Sequence, residues 1–434
     1  MLLATVLGSG IAFLDATVVN VALPTIGEDL DAGISSLQWV VNAYTLTLSG
    51  FLLLGGSLGD HYGRRRVFVI GVCWFAAASL ICGVAQNVEQ LIAARALQGV
   101  GGALLTPGSL ALIQSSFRPE DRARAIGLWS SLSGISGLVG PFLGGILVDA
   151  VSWRLVFLIN VPFAVVIVLV AGRHVPESRD PAHHGRFDYA GAVLGALALG
   201  GVTYALIGAG ENMFRADVLI SGAIGLIAGA AFVVRERRAT DPMLPPRLFT
   251  DRQFTGANLT TLAVYGALGG SGLFLVLQLQ NVLGYDATAS GAAMLPTILL
   301  ITLLSPRAGA LAQRIGPRLP MTIGPLIVAA GTLLLAGVDG SAPYVVEILP
   351  GSLLQGFGMA LVVAVSGVNN AVARAAQLLA VAALPVAVGL SGDDYEDPAA
   401  FTSGFRMAML VCAALFAAGG VISWATIRND VLKA

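Results

Sequence analysis

Gly56-Ser57-Leu58-Gly59-Asp60-His61-Tyr62-Gly63-Arg64-Arg65 and Gly309-Ala310-Leu311-Ala312-Gln313-Arg314-Ile315-Gly316-Pro317-Arg318 are two versions of one turn. Gly, Leu, Gly and Arg recur at the same spacing, and each version closes a long apolar run. Gly63 and Gly316 permit a tight passage from one helix to the next, and the arginines stay among lipid headgroups. Working outward, apolar segments long enough to cross a hydrocarbon core as helices fall near 1–23, 37–58, 67–85, 90–112, 123–148, 155–172 and 189–210. Seven more fall near 217–234, 253–280, 290–311, 320–338, 345–364, 369–388 and 405–427. The runs are continuous rather than alternating, which excludes a membrane β-barrel.

The turn repeats eight segments apart, so the expected architecture is an all-α polytopic membrane protein of 14 spans. Two six-helix bundles, at 1–172 and 253–434, flank a 173–252 region holding cytoplasmic loops and two inserted helices. Residues 1–23 lack the basic leader and small-residue cleavage site of a signal peptide and carry Asp15, so they read as a first span. Residues 345–388 must supply two crossings with a turn only near Ser366-Gly367, and Asn369, Asn370 and Arg374 stand at the entry to the second.

Composition agrees with lipid as the solvent. Of 434 residues, 56% are hydrophobic and 11% charged, against about a quarter charged in soluble domains; mean hydropathy is +0.83. A net charge of −1 gives no reason to expect a nucleic-acid partner. Alternate connecting loops and the C-terminal tail hold 18 of the 24 basic residues, and the opposite set only Arg154, Arg215 and Arg406. Basic residues favour the cytoplasmic side, so both termini are expected inside. Cys73, Cys82 and Cys412 lie in apolar runs and read as small buried hydrophobes. His61, His174, His183 and His184 lie in polar connections; His183-His184 has no carboxylate or Cys nearby, and no metal site is expected.

Four further patterns accompany the turn: Leu14-Asp15-Ala16-Thr17-Val18-Val19-Asn20-Val21-Ala22-Leu23-Pro24; Leu91 through Arg95 with Gln98, Gly99 and Gly101; Gly137, Gly140, Pro141, Gly144 and Gly145; and Trp153-Arg154-Leu155-Val156-Phe157-Leu158-Ile159-Asn160-Val161-Pro162. With these the sequence resembles the major facilitator superfamily over almost its whole length, and within it the fourteen-span drug/proton antiporters of the EmrB/QacA type. The resemblance implies a major facilitator fold and proton-driven efflux. Proteins of that type carry a longer connection between Gly356-Phe357-Gly358-Met359-Ala360 and a segment like Gly367-Val368-Asn369-Asn370; here it is short.

An ionisable side chain inside a bilayer costs about 2.5–3.5 kcal/mol on insertion scales, so each needs a reason. Asp15 is the only acid well inside an expected span, nine residues before Pro24 and so roughly 13 Å from that helix end. Hydrocarbon favours its neutral, protonated form, which suits a group that takes a proton on one side and releases it on the other. The plain alternative is a fixed helix–helix hydrogen-bonding group. Arg95, among Ala93, Ala94, Ala96 and Gly99, must face a polar cavity or a partner; it could tune Asp15 or simply bind backbone carbonyls. The resemblance assigns both to proton coupling.

Asp60, Gly63, Arg64 and Arg65 suit a conformational latch, made in one state and broken in another; a solvated turn is the alternative. Gly137, Gly140, Pro141, Gly144 and Gly145 suit a gating helix packed closely between the bundles, or close packing alone. For substrate contacts the signal is diffuse: Trp39, Tyr44, Tyr265, Phe274, Gln278, Asn281, Phe357 and Met359 are aromatic, amide or thioether groups suited to adaptable apolar walls.

These readings converge on a carrier, not an enzyme. They give proton-coupled export of lipophilic, cationic or amphiphilic drugs across a bacterial cytoplasmic membrane by a monomer. Its partners are the cargo, protons and the bilayer, and the proton gradient stands in place of a cofactor. No Gly-rich nucleotide loop ending in Lys occurs, which argues against direct ATP drive. The alternatives are export of an endogenous metabolite, lipid or siderophore, or a non-transporting paralogue with a shortened hairpin between the twelfth and thirteenth spans.

Overall fold

The computed structural model describes residues 1–179, 188–239, 246–363, 370–395 and 397–429. The hairpin turn near Ser366-Gly367, together with Asn369, His183 and His184, lies outside them.

Among the described residues there are seventeen α-helices: α1 (Leu2–Leu30), α2 (Ile34–Tyr62), α3 (Arg64–Gly83), α4 (Val88–Ser116), α5 (Pro119–Ala150), α6 (Leu155–Leu158), α7 (Asn160–His174), α8 (Tyr189–Asn212), α9 (Ala216–Arg238), α10 (Arg252–Leu277), α11 (Ala287–Ala293), α12 (Leu295–Ile315), α13 (Arg318–Leu335), α14 (Tyr344–Glu347), α15 (Leu349–Val363), α16 (Asn370–Ala387) and α17 (Pro398–Thr426). Several start where a side chain can take an orphan backbone N–H. Asn87 accepts from Gln90 N, Asp286 from Ala289 N and Asp397 from Ala399 N. Eleven helical spans among the described residues are long and apolar enough to cross a membrane, or twelve when α2, bent by 49° between Leu52 and Leu54, counts as one. Ile135–Ala150 and Ala371–Ala387 are apolar but shorter, so the fourteen expected spans stand at eleven or twelve by length.

The chain divides into two compact units, one of Met1–Val202 with Ile220–Met243 and one of Thr203–Leu219 with Leu244–Ala434. The division cuts through α8 and α9, so residues 203–219 fall with the second unit and the remaining parts of both helices with the first.

Inside each unit the same five helix pairs form. In the first they are α1 with α5, α1 with α7, α2 with α4, α3 with α4 and α3 with α7. In the second they are α10 with α16, α10 with α17, α12 with α15, α13 with α15 and α13 with α17. A close approach at glycine enforces one of them twice. A Cβ on Gly101 of α4 would fall 2.7 Å from the backbone N of Phe75 on α3, and one on Gly358 of α15 would fall 2.8 Å from the N of Val328 on α13. Lipid offers helices no hydrophobic drive to associate, so such small-residue contacts carry the packing.

The repeated turn behaves as its sequence implies. Gly63 has φ +110° and Gly316 φ +88°, a region that L side chains adopt only under strain. Each glycine is followed by a helix whose first N–H groups are taken by a side chain from much later in the same unit. Glu177 accepts from Arg65 N at 3.0 Å and Arg66 N at 3.2 Å, and Asn429 accepts from Arg318 N at 3.2 Å. Cys82 and Cys412 are buried, whereas Cys73 is exposed; nine residues along one helix turn it to another face, so the expectation of burial fails there.

Gly63→Ala and Gly316→Ala are each expected to cost about 1–3 kcal/mol through backbone strain. A melting temperature of the detergent-solubilised protein equal to that of the parent chain for both variants would contradict this account of the turns.

Candidate functional site

Asp15 is wholly buried in α1 and Arg95 almost so in α4. Their side chains meet, with Arg95 Nη1 2.5 Å from Asp15 Oδ2. The sequence presents Asp15 as a lone acid in hydrocarbon; the structure corrects that, because both of its oxygens are taken. Gln98, one turn beyond Arg95, donates from Nε2 to Asp15 Oδ1 at 2.8 Å, and Asn160 of α7 donates to the same oxygen at 3.0 Å. Arg95 also donates to Gln98 Oε1 at 2.6 Å and, from Nε, to the Val40 carbonyl of α2 at 3.1 Å. Ser79 of α3 accepts from Gln98 at 2.7 Å and from Asn160 at 3.2 Å.

Aromatic faces close the guanidinium in. Its Cζ lies 4.3 Å from the Tyr44 ring centroid and 5.6 Å from that of Phe157, and the Tyr44 hydroxyl donates to Ala12 O at 3.3 Å. A guanidinium over a ring face is attracted by the ring quadrupole, more so when desolvated. Five membrane-spanning segments thus contribute to one ion pair. Tyr44, expected as a substrate contact, is here a wall of that pair.

The segment Trp153–Pro162 ties its span to α1 at two heights. Trp153 Nε1 donates to Asp29 Oδ2 at 2.9 Å and Arg154 Nη1 to the same oxygen at 2.8 Å, while Asn160 reaches Asp15. The glycines of α5 press on α1 at the level of Asp15. A Cβ on Gly140 would strike Thr17 Oγ1, one on Gly144 would strike Val18, and Thr17 Oγ1 donates to the Gly137 carbonyl at 3.0 Å. The sequence suggests an approach between bundles for these glycines; the structure places these three against α1 inside the first unit. Pro141 lies within α5 and Gly145 is buried beside Gly144.

The latch residues also come together. Arg64 Nε donates to Asp60 Oδ1 at 2.7 Å, one helical turn away across Gly63, and Arg65 Nη1 donates to the Val175 carbonyl at 3.1 Å. The expected substrate contacts are divided between the two units. Trp39 is half-buried in α2 and Tyr265 in α10, Phe357 and Asn281 are exposed, and Met359 is buried. Phe274 stacks on Phe401 with centroids 6.1 Å apart. Gln278 begins a π turn at Gln278–Val282 and donates to the Val338 carbonyl at 3.1 Å.

Ser79, Gln98 and Asn160 escaped sequence reasoning as site residues. For Gln98 a signal exists: Leu97-Gln98-Gly99-Val100-Gly101 returns as Leu354-Gln355-Gly356-Phe357-Gly358. The bond it makes also returns, with Gln355 Nε2 donating to Thr332 Oγ1 at 2.9 Å, as Gln98 does to Ser79. At the place of Arg95 the second copy has Ser352, so the second unit keeps the amide–hydroxyl link without the cation.

These features, a helical bundle built twice with one buried ion pair inside the first copy, define a membrane carrier. Residues 5–188 and 185–392 match the family model described as Major Facilitator Superfamily, and the chain belongs to that family. It is 37% identical to the "Multidrug resistance protein Stp" of Mycobacterium tuberculosis (strain CDC 1551 / Oshkosh) over 83% of this chain and 67% of that protein. It is 33% identical to the "Methylenomycin A resistance protein" of Streptomyces coelicolor over 98% of this chain and 92% of that protein. Among solved structures it is similar to tetrameric PepTSo2, with a TM-score of 0.65 and 15% identity over 98% of this chain and 96% of that chain; at that identity the likeness speaks for the fold alone. The chain is therefore a multi-pass membrane transporter of small molecules, and not an enzyme.

Arg95→Met should destabilise the protein by about 3–5 kcal/mol, because it leaves Asp15 a buried charge without its counter-charge. The double variant Asp15→Asn/Arg95→Met should recover most of that loss. Thermal unfolding of both purified variants measures it, and a double variant no more stable than the single would refute the ion-pair account.

Proposed function

We propose that this chain is a proton-coupled antiporter of the fourteen-span drug/proton type, exporting lipophilic amphiphiles across a bacterial cytoplasmic membrane as a monomer with both termini inside. The observation that carries the reading is the buried Asp15–Arg95 pair. A guanidinium is in general a permanent cation in proteins, so a proton arriving on Asp15 would leave a buried cation without its counter-charge. Removing one partner of such a pair costs about 3–5 kcal/mol. A proton crossing 100 mV supplies about 2.3 kcal/mol, which is less. Protonation therefore goes with a rearrangement in which Arg95 finds other partners or water, and the state with the pair closed goes with the ionised carboxylate. That linkage is what an antiporter needs, since proton binding selects one conformation and proton release the other.

The tight glycine contacts of α5 on α1 beside Asp15 support the same reading, because a rearrangement there is passed directly to a neighbouring helix. The Asp60–Arg64 pair and the Glu177 cap on α3 would serve as the cytoplasmic latch. The names of the relatives, a multidrug resistance protein and an antibiotic resistance protein, favour drugs or antibiotics as cargo.

Two measurements test this. Asp15→Asn should abolish proton-driven ethidium efflux in membrane vesicles while leaving folded protein in the membrane; unchanged efflux ends the role of Asp15. In a chain with its three cysteines replaced, Gln313→Cys should react with an impermeant maleimide only from the inside, and Met213→Cys only from the outside. Labelling of both from the same side would overturn the topology.

A further inference from the structure

On α2 a second polar feature stands apart from the Asp15 network. Gln38, Asn42, Thr45 and Ser49 recur at intervals of four, three and four residues, which places them in one stripe, and all four are buried. The stripe lies away from the side of α2 that carries Tyr44, Thr47 and Leu48 against Gly99 and Gly102 of α4. Thr45 satisfies its hydroxyl within the helix, donating to the Val41 carbonyl at 3.2 Å. Asn42 does not: it is 0% exposed, and neither its Nδ2 nor its Oδ1 has a hydrogen-bond partner, nor does Ser49 Oγ. A buried carboxamide with both ends unmade is costly, and native proteins seldom leave one without a purpose.

The repeat adds an independent observation. The scaffold's own polar link is preserved in both units, as Gln98 with Ser79 and Gln355 with Thr332. Of the α2 stripe only the hydroxyl at its end is preserved. In the register fixed by the turns Gly56–Arg65 and Gly309–Arg318, the places of Asn42, Thr45 and Ser49 are taken in α12 by Leu295, Ile298 and Thr302. The fold therefore does not require an amide at position 42.

Charge decides what such a stripe would hold. Among the described residues two acids of the membrane-spanning helices are buried, Asp15, already neutralised by Arg95, and Glu236 in the last turn of α9 among Arg235, Arg237 and Arg238, and neither lies on the stripe. An amide and a hydroxyl, seven residues and about 10 Å apart along a helix, offer hydrogen bonds of both senses and no charge. We propose that Asn42 and Ser49 form a subsite for the uncharged hydrogen-bonding groups (carbonyl, amide or hydroxyl) of a lipophilic cargo, so that the transporter prefers neutral amphiphiles to permanent cations. The inference rests on the efflux reading for the word cargo, but not on proton coupling. Trp39, half-buried and one turn before Asn42, supplies a flat apolar surface next to the amide.

The test is equilibrium binding to the full-length protein in detergent, using chloramphenicol as the neutral hydrogen-bonding probe and ethidium as the permanent cation. The parent chain should bind chloramphenicol at least tenfold more tightly than ethidium. Asn42→Ala should weaken chloramphenicol binding about tenfold with no loss of melting temperature, since the substitution removes an unsatisfied buried amide. Asn42→Gln, which keeps the carboxamide, should restore part of the binding if misfolding is not the cause. Asn42→Asp should raise ethidium affinity by placing an unpaired acid there. Equal binding of chloramphenicol by the parent chain and Asn42→Ala, or no binding by the parent chain, overturns the proposal. Binding that behaves as expected without gradient-driven uptake in proteoliposomes would sink proton coupling and leave the subsite standing.

Discussion

A guanidinium and a carboxylate placed inside a bilayer must satisfy each other, and the first unit is arranged around that demand. Dehydrating two ions costs several kcal/mol each even after relaxation, and attraction repays it only when the remaining hydrogen-bonding positions are filled. Here they are filled from α1, α2, α3, α4 and α7: Asp15 receives three donors, and Arg95 finds a carboxylate, an amide oxygen, a backbone carbonyl and two ring faces. Such convergence sets how close the helices must come. Gly99 and Gly101, four and six residues past Arg95, remove the side chains that would hold α2 and α3 away. The small-residue run of α4 and the polar cluster beside it are two consequences of one requirement.

Close packing has a mechanical corollary. A network touching five segments cannot lose one contact without disturbing the others, so its arrangements are discrete rather than continuous. Thr17 lies two residues from Asp15 and donates to the α5 backbone at Gly137, while Asn160 and Trp153 bind α1 at two heights. Any shift of α1 that opens the ion pair is therefore felt at α5 and at the sixth span together.

Much of this was legible in the sequence, and the gaps have physical reasons. The turns at Gly63 and Gly316 were readable because a positive φ leaves few residue choices and the arginines mark the lipid–water boundary. Asp15 and Arg95 stood out because charge in an apolar run is rare. Their pairing was not readable: they are far apart in the chain, and nothing local specifies which helix faces which. For the same reason Tyr44, one of many aromatic residues in apolar segments, could not be recognised as the platform under Arg95, and the α5 glycines could not be assigned to α1. Ser79 gave no signal, since a lone Ser in an apolar helix usually bonds its own backbone. Gln98 did give one, in the recurrence of Leu-Gln-Gly-x-Gly, and position 95 is where the two copies part.

The same parting is seen at two further places. Asp60 in the first turn corresponds to Gln313 in the second, Arg95 to Ser352, and the carboxylate cap Glu177 on α3 to the amide cap Asn429 on α13. At each place hydrogen-bonding capacity is kept and charge is removed. Helix packing and capping need only the former, so the same five helix pairs form with or without charge at these positions. The proton coupling proposed above would draw on the first unit, where the buried ion pair lies.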